Sequence, residues 1–228
     1  RAFPGPGSGR PGLRVGSMTE TMSMNKVIHA AFRRDLGRFV AALDSFPVGD
    51  QRRADGLAAA WANFDDQLTY HHEGEHETAW PALQKVGVSA DLLATMDAEH
   101  DTMAQALAVT RSAMADLVQD PGRAQVDAAR AAFEEQRTVT VAHLDHEEAE
   151  LEQVYLDHVE DPAIVEMGKT FAKVSPARGG RFFAWLLDGA SPEEVAAVRG
   201  TVPGPVLKIL TAVFGRGYRK NVAPVWAR

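Results

Sequence analysis

The sequence predicts an all-α protein: an antiparallel four-helix bundle with an added C-terminal segment of short helices. Three observations predict it. Apolar residues recur at steps of three and four through four long segments between Thr19 and His158, no segment alternates with the period of two that marks a strand, and turn-forming residues cluster between the segments. Four long helices with short connections and one apolar stripe each are most economically packed as an antiparallel bundle.

Each element can be justified in order. The opening residues 1–17, RAFPGPGSGRPGLRVGS, are rich in Pro and Gly and lack an apolar stretch, so they read as a disordered leader outside the fold. The bundle is expected over residues 18–162. Its first helix carries His29, Phe32, Leu36, Phe39 and Leu43 on one face. The second carries Leu57, Trp61, Phe64 and Leu68, continues through His71, His72, Glu75 and His76, and is expected to close at Trp80-Pro81. Ser89 caps the third, whose stripe is Met96, His100, Met103, Leu107, Thr110, Met114 and Leu117. The fourth reads Val126, Phe133, Thr140, His143, Glu147, Leu151 and Val154. Turns are expected at 46–56, 81–89 and 120–122. Residues 163–228 read as shorter helical pieces punctuated by Pro and Gly, with Ser191-Pro192-Glu193-Glu194 a good helix start. The run Phe182 to Leu187 needs cover, and the bundle is its expected partner.

Composition narrows the chemistry. With 45% hydrophobic and 24% charged residues in 228, the chain is an ordinary globular one. It has 0 Cys, which excludes disulfides, thiolate zinc, cysteine-held iron-sulfur clusters and a cysteine nucleophile, and fits a cytoplasmic location. Any metal must be held by N and O ligands. The net charge of −7 divides into −13 over residues 1–162 and +6 over 163–228. The acidic body gives no reason to expect a nucleic-acid partner. The basic segment could dock on that body or, through Val206 to Phe214 and the following Arg216, Arg219 and Lys220, touch a membrane surface.

The histidines carry the functional signal. Antiparallel neighbours at equal distance from a turn lie at one height. The midpoints of His29 and His72, of His72 and His100, and of His100 and His143 fall within the three expected turns, near Gly49–Gln51, at Val86 and at Pro121–Gly122. One histidine from each helix is therefore placed on the core side at one level. His76 lies four residues after His72 and Glu147 four after His143, adding a second tier with depth for two ions. Buried imidazoles without partners cost several kcal/mol each, and metal coordination satisfies them directly. Nitrogen-rich ligands with a carboxylate suit Fe, Zn, Cu or Mn. His71 reads as a flanking residue, and His146 and His158 as solvated. Tyr70 and Trp61 could gate or tune the centre but read first as core.

With those residues in view, the chain resembles the hemerythrin-like family of HHE cation-binding domains over about residues 20–160. The resemblance rests on His29 in IHAAFRRDL, His71-His72-Glu73 in YHHEGEHETAWPAL, His100 in AEHDTM, and His143 with Glu147 in HLDHEEAEL. It implies a non-haem di-iron centre: two iron ions with oxo, hydroxo or carboxylate bridges and open positions for dioxygen or another small ligand. Two departures stand out. His76 occupies the position where the family carries Glu, which makes Glu73 a candidate substitute bridge, in competition with Glu75. His100 has Met96 and Ala104 at the offsets where the family's oxygen carriers have a second histidine. The expected metal ligands are therefore His29, His72, His76, His100, His143 and Glu147, with Glu73. The expected function is binding of, or reaction with, dioxygen, hydrogen peroxide or nitric oxide, an oxidoreductase activity if the centre turns over. An iron or redox sensor with a metal-dependent surface is the alternative, and a structural zinc bundle a third reading.

Overall fold

The computed structural model describes residues 22–227, so the expected leader, residues 1–17, lies outside the described residues. Among the described residues every regular element is helical. Four long helices dominate: α1 (Met24–Asp44), α2 (Gln51–Gly74), α4 (Ala90–Gln119) and α5 (Arg123–Asp157), with the short α3 (Trp80–Lys85) between α2 and α4. α1 packs on α2 and α5, and α4 packs on α2 and α5, so the four close round one interior.

Local chemistry sets the boundaries. The side chains of Ser23, Asp50 and Ser89 accept hydrogen bonds from the backbone N–H of Lys26, Arg53 and Leu92, capping α1, α2 and α4. Gly49 and Gly87 take positive φ, 86° and 99°, in the turns after α1 and α3, a conformation that costs other residues free energy. The Gly49 N–H also donates to Pro121 O at 2.8 Å, tying the first turn to the third. The interior is filled by the expected stripes, with Phe32, Leu36, Phe39, Leu57, Phe64, Leu68, Met96, Met103 and Phe133 all fully buried.

One boundary differs from expectation. Trp80-Pro81 does not close the second helix, because helical backbone continues through a wide π-type turn (Glu75–Ala79) into α3. Proline lacks the N–H that a regular α-turn would use, and its ring crowds the preceding turn. The wider turn, closed by the Trp80 N–H to Glu75 O, accommodates Pro81 at the start of α3. The connection to α4 is correspondingly short, at Val86 to Ser89.

Residues beyond α5 form α6 (Pro162–Phe171), α7 (Pro176–Leu186), α8 (Pro192–Thr201), α9 (Gly204–Ile209) with a π-turn (Leu210–Phe214), α10 (Arg216–Asn221) and a 3-10 turn (Ala223–Trp226). Trp185 is fully buried against Phe32 of α1, ring centroids 5.1 Å apart, and its Nε1–H donates to the buried Asp35 at 2.7 Å. Arg34 and Arg38 donate to the carbonyls of Trp185, Leu186 and Asp188. At the other end of α1, Trp226 sets its ring at right angles to that of Phe39, 5.0 Å away.

Candidate metal centre

The site is built where the four long helices each turn a histidine inward. His29 on α1, His100 on α4, and His143 and Glu147 on α5 are buried, and His71, His72 and Glu75 enter from the end of α2 and the π-turn. Their donor atoms form two groups, each drawn together within 4.8 Å: His72, Glu75, His100 and His143, and His29, His71, Glu75 and Glu147. Glu75 belongs to both. Its Oε1 lies 3.1 Å from His71 Nε2 and its Oε2 3.4 Å from His100 Nε2. Glu147 also faces both ways, its Oε2 being 3.2 Å from His29 Nε2 and 3.6 Å from His143 Nε2.

Proton positions follow from the surrounding carboxylates. His29 Nδ1 lies 3.1 Å from Glu148 Oε1, and His143 Nδ1 lies 2.8 Å from Glu99 Oε2. A carboxylate at Nδ1 keeps the proton there and leaves Nε2 as a lone pair aimed inward. Glu148 is itself held by Arg33 at 2.5 Å, and the second oxygen of Glu99 faces His146 Nδ1 at 2.8 Å. Inside the cluster, His29 Nε2 lies 3.2 Å from His71 Nε2, and His100 Nε2 lies 3.0 Å from His143 Nε2. Two such pairs of nitrogens at contact distance call for a shared cation, either a proton or a metal.

Electrostatics point the same way. Burial lowers His71 and His72 well below the ordinary imidazole range, and burial with the neighbouring His143 brings His100 down to about 4, so these rings stay neutral. For Glu147 burial works upward, but His29, His71 and His143 outweigh it and hold the carboxylate down at about 2. Burial, and then the charge of Glu147, pushes Glu75 well above the carboxylate range. His29 is pulled down by burial, yet Glu147 and Glu148 together raise it above the ordinary imidazole value. His72 Nε2, both oxygens of Glu75 and Glu147 Oε2 are buried without a hydrogen bond of good geometry, a concentration of unmet acceptors that a metal would satisfy.

The neighbouring rings fix the ligands in place. His72 stacks on His100 at 4.1 Å, Trp80 lies parallel on His100 at 5.9 Å, and Phe32 packs against His71 at 5.3 Å. One turn and more away from the cluster the interior stays polar, with Gln67, Gln136 and Thr140 buried and Gln136 donating to Thr140 Oγ1 at 2.8 Å.

The structure brings His29, His72, His100, His143 and Glu147 to one place. It does not bring His76 or Glu73 there. His76 is 67% exposed at its side chain and pairs with Asp97 at 3.0 Å, while Glu73 faces outward beside Tyr70 and Arg178. The physical reason lies in helical phase. Glu75 follows the core residue Leu68 by seven residues, close to two full turns, so it returns to the same face, whereas His76 is rotated past it and Glu73 falls short. His71, read as a flanking residue, enters the cluster by the three-residue step from Leu68. Of the two competing carboxylates it is Glu75, not Glu73, that enters the cluster, and the residue sequence reasoning missed is His71; the two form an i, i+4 pair that continues the Leu57–Trp61–Phe64–Leu68 stripe without change of phase.

The hemerythrin HHE cation binding domain model matches residues 24–155, more than half of the chain. The chain belongs to the hemerythrin HHE cation-binding family. No curated protein and no solved structure matches it. The HHE domain as matched spans α1 to α5, every residue of the two groups included, and leaves α6 and all that follows outside the family match. A cation-binding family and a cluster of five histidines and two glutamates with unmet acceptors agree on one property, the capacity to hold metal.

Proposed function

We propose that the cluster holds two iron ions inside an antiparallel four-helix bundle formed by α1, α2, α4 and α5, with residues 163–227 docked on it as an extension. His72, His100 and His143 would serve one ion and His29 and His71 the other, with Glu75 and Glu147 shared between them. The observation that carries this reading is the sharing: two carboxylates each face two histidine groups, the arrangement a paired centre requires and a single-ion site does not. Iron at such a site supplies redox and Lewis-acid chemistry toward dioxygen, hydrogen peroxide or nitric oxide. The chain's own part is to exclude bulk water, to hold the Nδ1–H groups of His29 and His143 as donors to Glu148 and Glu99, and to fix the rings by stacking. We place this activity in the cytoplasm, where a chain with 0 Cys and N/O ligands is at home.

The test is metal content and visible absorption of protein purified from iron-supplied cells, before and after addition of peroxide and of nitric oxide. About two irons per chain and a ferric charge-transfer spectrum that responds to either reagent are expected. Zinc, or one iron per chain with a spectrum indifferent to both, would overturn the proposal. A sensor is the second reading, favoured by one contact: His71 touches Phe32, which touches Trp185 beyond the family match, so ligand position and extension share a side chain. Absence of turnover, together with iron-dependent protease protection of the extension, would select it.

A further inference from the structure

The acid-free C-terminal segment presents an apolar face that nothing among the described residues covers. α9 and the π-turn after it form one continuous helical stretch, Gly204 to Phe214. Its inner side is used: Leu207 is buried, Leu210 approaches Gly179, and Phe214 crosses Gly180 so closely that a Cβ there would meet Phe214 Cβ at 2.2 Å. Its outer side carries Pro205, Val206, Ile209, Ala212 and Val213, all exposed and none polar. Val206, Ile209, Val213 and Phe214 are 46%, 58%, 48% and 40% exposed, and the other large exposed apolar side chains, Val48, Tyr70, Val109, Val159 and Val165, lie on separate elements. An apolar face concentrated in this way marks an interaction surface.

Charge identifies what it meets. No Asp or Glu occurs between Val195 and Ala227, whereas Arg199, Lys208, Arg216, Arg219 and Lys220 do. Among the described residues Arg199, Lys208, Arg216 and Lys220 have no acidic partner, and Arg219 spends its guanidinium on the carbonyls of Thr211 and Ala212. We infer that this face is a membrane-docking surface, laid by Val206, Ile209, Val213 and Phe214 onto the interface of an anionic phospholipid bilayer with the surrounding Lys and Arg against its headgroups. A second copy of the chain fits less well. Face-to-face pairing would set two acid-free basic segments against each other, and face-to-body pairing would need an apolar counterpart that the scattered exposed residues of the body do not provide. A bilayer satisfies both the apolar and the electrostatic term, the latter worth about 1 kcal/mol per basic residue near an anionic surface. No helix is long and apolar enough to cross a membrane, so the contact is interfacial. The inference does not depend on which metal the cluster holds.

Co-sedimentation of the full chain with vesicles tests it. Binding is expected to vesicles of phosphatidylcholine with 40% phosphatidylglycerol as an ~0.4 mole fraction of anionic headgroup, to fall at least ~tenfold between low and high salt, and to be weak on phosphatidylcholine alone. The double variant Ile209→Asp/Val213→Asp, at exposed positions, should keep the wild-type melting temperature and lose at least ~tenfold in binding, while Val109→Asp on α4 should change nothing. Lys208→Glu/Lys220→Glu should lose binding to the anionic vesicles selectively. The proposal is overturned by no binding at low salt, by equal binding to both vesicle types, by Ile209→Asp/Val213→Asp binding as wild type, or by concentration-dependent self-association that the same double variant abolishes.

Discussion

Glu75 and His76 are adjacent in sequence and opposite in environment, and the metal site turns on the difference. Glu75 is fully buried with both oxygens facing imidazoles, whereas His76 projects outward to Asp97, which also accepts from Trp80 Nε1 at 2.8 Å. Removing Glu75 deletes the group common to both sets of ligands, so Glu75→Ala should lower iron to one ion per chain or none. It should also abolish the thermal stabilisation that metal confers. A ligand held at ~1,000 times its Kd stabilises the folded state by about 4 kcal/mol, on the order of ten degrees for a chain of this size. His76→Ala and Glu73→Gln should leave both metal content and that stabilisation unchanged. Metal analysis with paired melting curves, with and without chelator, checks all three variants, and normal loading of Glu75→Ala would remove Glu75 from the ligand set. At this scale the sequence is only partly legible. The mirrored histidines on four stripes follow from turn positions alone, and His29, His72, His100 and His143 do come together. A step of four from His72 leads to His76, whereas His71 and His72 both lead, by steps of four and three, to Glu75.

At the scale of elements, the end of α2 hides this phase. Pro81 reads as a helix terminator, and the π-turn that absorbs it cannot be seen in apolar periodicity because it shifts the phase only locally. The four long helices, by contrast, are legible, since each keeps one stripe for about three turns or more and each turn between them carries Gly, Pro or a capping side chain. In the extension the spacing of helices was suggested by Pro and Gly, but their packing depends on close backbone approach. At Gly180 an added Cβ would meet Leu210 O at 2.6 Å and Phe214 Cβ at 2.2 Å, both fixed to backbone. Gly180→Ala should therefore destabilise the protein by roughly 1–3 kcal/mol through forced separation of α7 from the turn after α9. Gly168, inside α6, has nothing within 4 Å of its added Cβ, and Gly168→Ala should stabilise by about 0.5–1 kcal/mol. Denaturant unfolding of the two variants gives the comparison, and equal effects of the same sign would contradict this account of the crossing.

For the whole molecule, charge is divided between a body of −13 and a C-terminal part of +6, and the two meet through Arg178 and Arg181 on Asp66 and through Arg38 on Asp188. Those exposed or half-exposed pairs contribute little individually, about 0–1 kcal/mol each. The buried cluster governs the pH dependence instead. His71, His72 and His100 stay neutral when folded but take up protons near 6.5 when unfolded. Their unfolded forms therefore bind more protons as pH falls below 6.5, and stability drops toward acid. His29 and Glu75 act in the opposite sense. Both are raised in the fold, so each contributes stability that is full below its unfolded value, near 6.5 and 4.5, and is lost as pH climbs toward its folded value. Between 4.5 and 6.5 three groups favour alkali and only Glu75 opposes them, and above 6.5 only His29 and Glu75 remain. The metal-free protein should accordingly show an unfolding midpoint that peaks near neutral pH and declines both toward pH 5 and toward pH 8. Loading with metal should remove the alkaline decline, because the cation replaces the protons held between His29, Glu75 and Glu147. Denaturation of chelator-treated and metal-loaded protein at pH 5, 6.5 and 8 measures this, and a metal-free midpoint that rises steadily from pH 5 to 8 would show that no proton occupies the cation's place.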